Sequence, residues 1–162
     1  MAEEQQKSSY VANTERFFRR LGLFQESFPE ACEKKDFYSD LIRSLLKVDR
    51  IESGRITCSL SVNSAVTNTY NTLHGGVVAA VAEAVALACV RTVAGDKEFF
   101  LGEFSTSYLS AARLDEEVEV DGCMLRQGRS VVVTSVEFKR KKTGKLYYAS
   151  RATFYVMPVA SL

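Results

Sequence analysis

The run of residues from Gly75 to Val90 constrains the fold more than any other part of this sequence. Its sixteen residues carry one charge, on Glu83, and consist mostly of Ala, Val and Leu. A helix that is apolar on all sides is buried on all sides, so we expect it to lie in the core of a globular domain. We expect no membrane span, because the run is Ala-rich, short and carries Glu83 at its centre.

The carboxylate of Glu83 is unusual in such a helix. An unpaired carboxylate is costly in an apolar site, so Glu83 must find a partner, stay protonated or border a wet cleft. From the helix alone, two interpretations stay open. Glu83 is either hydrogen-bonded for structure or assembly, or it is a catalytic carboxylate.

The residues that precede the helix favour the catalytic interpretation. His74, the only histidine, is followed by Gly75 and Gly76, and Asn68 lies upstream in a predicted loop. The glycines allow a ligand to approach the backbone, and the first turn of the helix offers unpaired N–H groups that can bind a carbonyl oxygen as it becomes negative. Taken singly, each feature has a simpler explanation as a turn, a locally bonded histidine or a loop asparagine.

The spacing between Gly75 and Glu83 predicts a dimer. Eight residues of helix correspond to about 12 Å, which is too far for both groups to act on one carbonyl. Two antiparallel helices from two copies of the chain would bring Glu83 of one copy to Gly75 of the other. We therefore expect two shared sites in each dimer, and the second copy would cover the helix face that one sheet leaves open.

The sequence resembles the hot-dog-fold acyl-CoA thioesterases, in the HGG-bearing branch that includes the acyl-CoA thioesterase 13 and phenylacetic-acid-pathway groups. The resemblance extends over about residues 48–156. It rests on Asn68 with TLHGG at 72–76, the acid nine residues after the histidine, SYLSAA at 107–112 and LRQGRSVVVTSVEF at 125–138. The family implies homodimers that pair into a homotetramer.

The resemblance also implies catalytic roles. Asn68 and His74 arrange the thioester end of the substrate, and the N–H of Gly75 polarises its carbonyl. Glu83 of the partner subunit is the implied nucleophile or general base, where the closest relatives often have Asp. The implied reaction is hydrolysis of a fatty-acyl or aryl-acyl CoA to free acid and CoA.

One position departs from the family pattern. Some relatives carry a Ser that positions water at the start of the strand after the helix, where this chain has Leu101. Ser105 or Thr106 is expected to replace it. No cofactor and no metal ion are expected, since CoA enters as part of the substrate.

The CoA portion of the substrate requires a further group of binding residues. The phosphates of CoA favour cationic side chains at the entrance, and its pantetheine arm favours exposed backbone groups. The acyl group of the substrate favours an aromatic wall. The basic turn at 139–145 is alternatively an ordinary solvated turn. The aromatic residues are alternatively ordinary core residues. The substrate-binding set is Gly76, Tyr70, Ser105, Thr106, Tyr108, Gln127, Gly128, Arg129 and Arg151.

The order of the predicted elements indicates an α+β domain. Residues 1–43 are expected to form an extension that packs on the body, with a helix at Val11–Leu21 capped by Asn13 or Thr14 and stopped by Gly22. Irregular structure is expected to about Asp40. Residues 44–162 are expected to form the hot-dog domain, in which a curved antiparallel sheet of about six strands wraps around one long helix. Its strands are a hairpin at 45–62 and four strands at about 99–110, 117–127, 130–140 and 146–157.

Composition bounds the remaining questions. A net charge of +1 gives no global case for binding nucleic acid. The polar start of the chain is unlike a secretory signal, so we expect a cytoplasmic protein, with the peroxisome or mitochondrion as alternatives. The resemblance implies an enzyme of fatty acid metabolism. Two other functions stay open: a hot-dog hydratase or dehydratase acting on the acyl chain, and a non-catalytic acyl-CoA or lipid carrier.

Overall fold

The computed structural model describes residues 2–24, 27, 29–95 and 97–157, with side chains from residue 9 onward. The chain forms two compact units, residues 1–38 and 39–162. The boundary predicted from the sequence, between residues 43 and 44, falls inside a helix. Each unit is described in turn below.

The first unit contains a longer helix than the sequence predicts. Helix α1 spans Ala2–Arg20, so Asn13 and Thr14 are interior residues and not caps. The hydroxyl of Thr14 donates to the carbonyl of Tyr10 one turn earlier, which is how an interior threonine satisfies its side chain. The predicted stop is confirmed: Gly22 has φ +75°, and its N–H donates to the carbonyl of Arg19. How this unit packs on the rest of the protein stays a prediction.

Helix α2 spans Phe37–Leu45, where the sequence analysis placed irregular structure and the start of a strand. That prediction is wrong because two periodicities overlap here. Phe37, Leu41 and Leu45 repeat every four residues, which is the helical spacing, and Leu45 also begins an alternating pattern that continues into the next strand. The helix buries Ile42 and Leu45, and this burial decides the conformation.

Six antiparallel strands form one sheet, as predicted. Neighbouring strands in the sheet follow the order β1-β2-β4-β5-β6-β3, so β1 and β3 are the edges. The sheet and the long helix confirm the α+β architecture. The strands are β1 Leu46–Glu52, β2 Arg55–Ser61, β3 Phe99–Tyr108, β4 Glu117–Gln127, β5 Val131–Arg140 and β6 Leu146–Val156.

Helix α3 spans Gly75–Ala94 and packs against β2, β4, β5 and β6. Gly122 of β4 allows this close approach. A Cβ at that position would lie 2.6 Å from Cγ1 of Val85 and 2.8 Å from Sγ of Cys89, well inside van der Waals contact. Among the described residues, α3 is the one helix with the length and apolarity of a membrane span, and its packing against four strands identifies it as the core helix of the fold.

In a single copy of the chain only one face of α3 is buried, and coverage of the other face by a second copy stays a prediction. Val78, Val81 and Ala82 face the sheet and are inaccessible to solvent. Glu83 and Ala84 are exposed on the opposite face, and the neighbouring alanines of that face are half-buried. The physical reason is that one sheet covers one side of a helix. The apolar composition of the other side is therefore unexplained by a single copy of the chain.

Candidate active site

The loop before α3 is held in place by the side chain of Asn68. Its Oδ1 accepts three hydrogen bonds, from the backbone N–H of Tyr70 at 2.9 Å and from the N–H and hydroxyl of Thr72 at 3.3 and 3.1 Å. Because all three partners are donors, the atom that they contact is the side-chain oxygen of Asn68, and the other terminal atom is the NH2 nitrogen. That NH2 group makes no hydrogen bond to any described residue, and it remains available as a donor.

His74 is the N-cap of α3. Its backbone N–H donates to the carbonyl of Val66, and its Nδ1 accepts the N–H of Gly76 at 3.0 Å. A ring nitrogen that accepts a hydrogen bond carries no proton, so the neutral ring has its proton on Nε2. The cap therefore fixes both the orientation of the imidazole and its tautomer, and it leaves an exposed N–H donor.

Gly75 presents a backbone donor at the first position of α3. Its carbonyl accepts a hydrogen bond from the hydroxyl of Tyr108 at 3.0 Å. Its N–H, in the first turn, has no acceptor among the described residues, as is general at helix amino ends. The partial positive charge of the helix amino terminus adds to the attraction of this N–H for a negative oxygen.

A cleft of about 310 Å³ opens at this end of α3. It brings together three of the predicted site residues, Asn68, Gly75 and Tyr108. The ring of Tyr108 makes an edge contact with that of Tyr148, with centroids 5.7 Å apart. The remaining lining residues are Thr72, Leu73, Leu109, Ser110, Ala111 and Tyr148. The wall is thus mixed, with apolar side chains beside hydroxyl groups and with hydrogen-bond donors at the helix end.

Part of this wall was missed by the sequence analysis. The third strand was predicted to continue to residue 110, whereas β3 ends at Tyr108. The N–H groups of Leu109 and Ser110 both donate to the carbonyl of Tyr147, and this turns the chain out of the strand. Residues 109–111 consequently form a loop beside the cleft. The signal was present in the SYLSAA segment, whose small residues are weak strand formers.

A partly buried network of hydrogen bonds and one ion pair supports this loop from behind. The hydroxyl of Tyr147 donates to Glu116 at 2.6 Å, and the same carboxylate accepts the N–H of Arg113 and pairs with Arg140 at 2.8 Å. Burial and the hydrogen bond to Glu116 raise the pKa of Tyr147 to about 12. Partial burial alone would raise the pKa of Glu116. The hydrogen bonds from Tyr147 and Arg113 and the charge of Arg140 outweigh this effect, and the pKa of the carboxyl lies below its ordinary value.

Glu83 does not reach the cleft of its own chain. It lies on the open face of α3, is exposed to solvent, and is absent from the cleft lining. The expectation that it is buried is wrong for a single chain, because the sheet covers the other side of the helix. The separation from Gly75 along the helix agrees with the argument from spacing.

The residues predicted on β3 and β6 fall on two faces of the sheet. Thr106 is on the same face as Tyr108, and its hydroxyl is 2.8 Å from that of Ser150. Ser105 is paired with Arg151 in the neighbouring strand, and both lie on the face directed away from α3. Of the two candidates for positioning water, only Thr106 is therefore on the helix side.

Tyr70 contributes its backbone to the loop, and its side chain is 84% exposed. It does not line the cleft within one chain. Gly76 lies next to the cleft, where its N–H binds His74.

The remaining predicted residues gather at the other end of α3. The side chain of Gln127 donates to the carbonyl of Val93 at 3.4 Å, which places the β4–β5 turn beside the helix carboxyl end. Gly128 and Arg129 line a second cleft of about 280 Å³ together with Arg126. Neither arginine forms an ion pair with a described residue. By contrast, Lys139, Arg140 and Lys141 are each close to a carboxylate.

Comparisons with known proteins agree with this architecture. A family model described as the Thioesterase superfamily matches residues 70–147. Acyl-coenzyme A thioesterase 13 of Homo sapiens is 32% identical over 103 residues, which are 62% of this chain and 71% of that protein.

Two solved structures share the fold. Zebrafish thioesterase superfamily member 2 superposes with a TM-score of 0.70 at 23% identity, over 90% of this chain and 97% of that one. A hypothetical thioesterase from Streptococcus pneumoniae, solved with coenzyme A, gives 0.65 at 21% identity, over 72% and 91%. The chain belongs to the thioesterase superfamily and is a thioester hydrolase.

Proposed function

We propose that this protein hydrolyses acyl-CoA thioesters, and that each active site is built from two copies of the chain. The observation that carries the proposal is the cleft at the amino end of α3, where the N–H of Gly75 and the NH2 group of Asn68 have no acceptor among the described residues. The relative named acyl-coenzyme A thioesterase 13 and the neighbour solved with coenzyme A support this substrate class.

The open face of α3 supports the homodimer. Two antiparallel helices that cross at Ala79 and Ala80 would place Glu83 of each copy opposite Gly75 of the other. Alanine side chains at the crossing allow two helices to approach closely, and such an interface would cover the half-buried apolar face. A homotetramer of two such dimers is part of the proposal as the resemblance implies it.

The chemistry follows from the donors and the acid. The N–H of Gly75 stabilises negative charge on the thioester oxygen, while Asn68 and Nε2–H of His74 are further donors nearby. The partner's Glu83 takes a proton from water as the water oxygen attacks the carbonyl carbon. The C–S bond then breaks, the sulfur takes that proton from Glu83, and CoA leaves as the thiol. In the alternative route, a carboxylate oxygen of Glu83 attacks first, and water hydrolyses the resulting mixed anhydride.

The dimer also brings the second cleft closer to the first. Within one chain the two lie at opposite ends of α3, about 27 Å apart from Gly75 to Val93. In the antiparallel pair, Val93 of the partner lies about 15 Å beyond Glu83 of the partner along the axis. We propose that Arg126 and Arg129 of the partner bind the phosphates of CoA. The reaction needs no cofactor.

Replacing the helix acid tests the assignment. We expect Glu83→Ala to lower kcat by about a hundred- to ten-thousandfold, because the general base is lost, and Glu83→Asp to retain part of the activity. The measurement is thiol release over a panel of fatty-acyl and aryl-acyl CoA substrates. Glu119→Ala, on the outer face of β4, is the matched control. Turnover by Glu83→Ala at the wild-type rate would refute the role of Glu83.

A further inference from the structure

One peptide group, between Gly75 and Gly76, is held at both ends by side chains. Its carbonyl accepts the hydroxyl of Tyr108 at 3.0 Å, and its N–H donates to Nδ1 of His74 at 3.0 Å. Tyr108 and His74 are therefore joined through a single amide.

Two consecutive glycines make this peptide the least constrained part of the helix start. Without Cβ atoms, the backbone on either side of it has the widest choice of conformations. A Cβ on Gly76 would lie 3.3 Å from Nδ1 of His74, and one on Gly75 would lie 3.4 Å from the ring of Tyr108. The two side chains thus lie directly against the glycines and restrict a peptide that the sequence leaves free.

The two hydrogen bonds strengthen each other. An amide whose carbonyl accepts a hydrogen bond is more polarised, and its N–H becomes a better donor. The bond from Tyr108 consequently favours the form of His74 in which Nδ1 accepts and Nε2 carries the proton. It also ties the first residue of α3 to the last residue of β3.

We propose that Tyr108 is a positioning residue for thioester hydrolysis, which acts through the Gly75–Gly76 peptide on His74. The inference rests on the proposed function in one respect, namely that the thioester binds in this cleft. The hydroxyl of Tyr108 is occupied by the carbonyl of Gly75, and its ring forms part of the cleft wall. The hydroxyl and the ring therefore have separate roles, and Tyr108→Phe removes the first while it keeps the second.

The single histidine allows a direct test that needs no substrate. In protein labelled with ¹⁵N-histidine, both ring nitrogen signals come from His74 alone. In the wild type at alkaline pH, we expect an unprotonated, hydrogen-bonded Nδ1 and a protonated Nε2. In Tyr108→Phe, we expect the two nitrogens to move towards the averaged values of exchanging tautomers. Tyr155→Phe, which removes a hydroxyl from the outer face of β6, is expected to leave the signals unchanged.

Kinetics provide the second readout. Tyr108→Phe keeps the ring and its contact with Tyr148, so we expect KM to stay within about twofold and kcat to fall by about two- to tenfold, the effect of one hydrogen bond. In a His74→Ala background, the loss on adding Tyr108→Phe should be clearly smaller, because the two side chains act through one peptide.

Unchanged ring nitrogen signals in Tyr108→Phe, or a loss of kcat that is the same with and without His74, would overturn the inference. A KM effect without a kcat effect would assign the hydroxyl to substrate binding instead. The spectroscopic result does not depend on Glu83, so a failure of the proposed chemistry and a failure of this inference are distinguishable.

Discussion

At the scale of single residues, the site depends on which donors and acids already have partners. The side-chain oxygen of Asn68 and Nδ1 of His74 are occupied by the backbone, so these residues offer only their remaining N–H groups. Glu83 is exposed and faces away from the cleft of its own chain. The sequence identifies these residues by type, but it does not show which atoms are already bonded, because that depends on the loop conformation.

The pair formed by Tyr147 and Glu116 gives a prediction about pH. An unfolded tyrosine ionises near pH 10, and the pKa of Tyr147 in the folded chain is about 12. The folded-state pKa is raised, so this contribution to stability is present below about pH 10 and is lost as the pH rises towards 12. The lowered pKa of Glu116 acts in the opposite sense: its contribution is present above the unfolded pKa, and is lost in acid as the pH falls through the folded value.

We therefore expect Tyr147→Phe to lower the free energy of unfolding by about 1–3 kcal/mol at neutral pH, since a partly buried hydrogen bond to a carboxylate is lost. Stability should also fall less steeply between about pH 10 and 12 than in the wild type. Urea denaturation at a series of pH values measures both effects. Tyr155→Phe provides the comparison, and an identical pH profile for both variants would contradict the prediction.

At the scale of secondary structure elements, the sequence predicts the strands better than the first unit. The alternation in β5 and β6 is unambiguous because one face of each strand packs on α3. Helix α2 was missed because its apolar spacing merges with that of β1. The end of β3 was placed too late because the hydrogen bonds that close the loop come from Tyr147, which is distant in sequence.

The contact between α3 and β4 depends on Gly122. We expect Gly122→Ala to destabilise the protein by about 1–3 kcal/mol, because the added methyl group overlaps Val85 and Cys89 in a packed core. Thermal and urea denaturation measure this loss. Ser135→Ala, on the outer face of β5, removes a side-chain atom without entering the core and should be nearly neutral. Equal stability of the two variants would argue against close packing at Gly122.

The β4–β5 turn makes a prediction about the nucleotide end of CoA. We expect Arg126→Gln and Arg129→Gln to raise KM for acyl-CoA several-fold, and to change little for the matching acyl-pantetheine, which lacks the nucleotide. Steady-state kinetics at two salt concentrations provide the measurement. Lys142→Gln, in the other basic turn, is the control. A similar effect on both substrates would exclude phosphate binding by this turn.

At the scale of the whole molecule, the proposed shared site predicts complementation. Mixing Glu83→Ala chains with His74→Ala chains, both of greatly reduced activity, gives hybrid dimers in which one of two sites has both native residues. With random exchange, we expect about a quarter of the wild-type activity to return. Thiol release before and after mixing measures it, and chains carrying both substitutions serve as the control. Absence of recovery, once hybrid formation is established by mass spectrometry, would contradict a site shared between copies.

If two copies must pair through the open face of α3, as proposed, the activity of each chain depends on protein concentration. Where chains are mostly unassociated, the initial rate should grow with the square of protein concentration, and it should become proportional only once association is complete. A modest rise in expression would then produce a disproportionate rise in flux. Solvent conditions that weaken the apolar contacts between two copies would abolish activity while every chain is still folded.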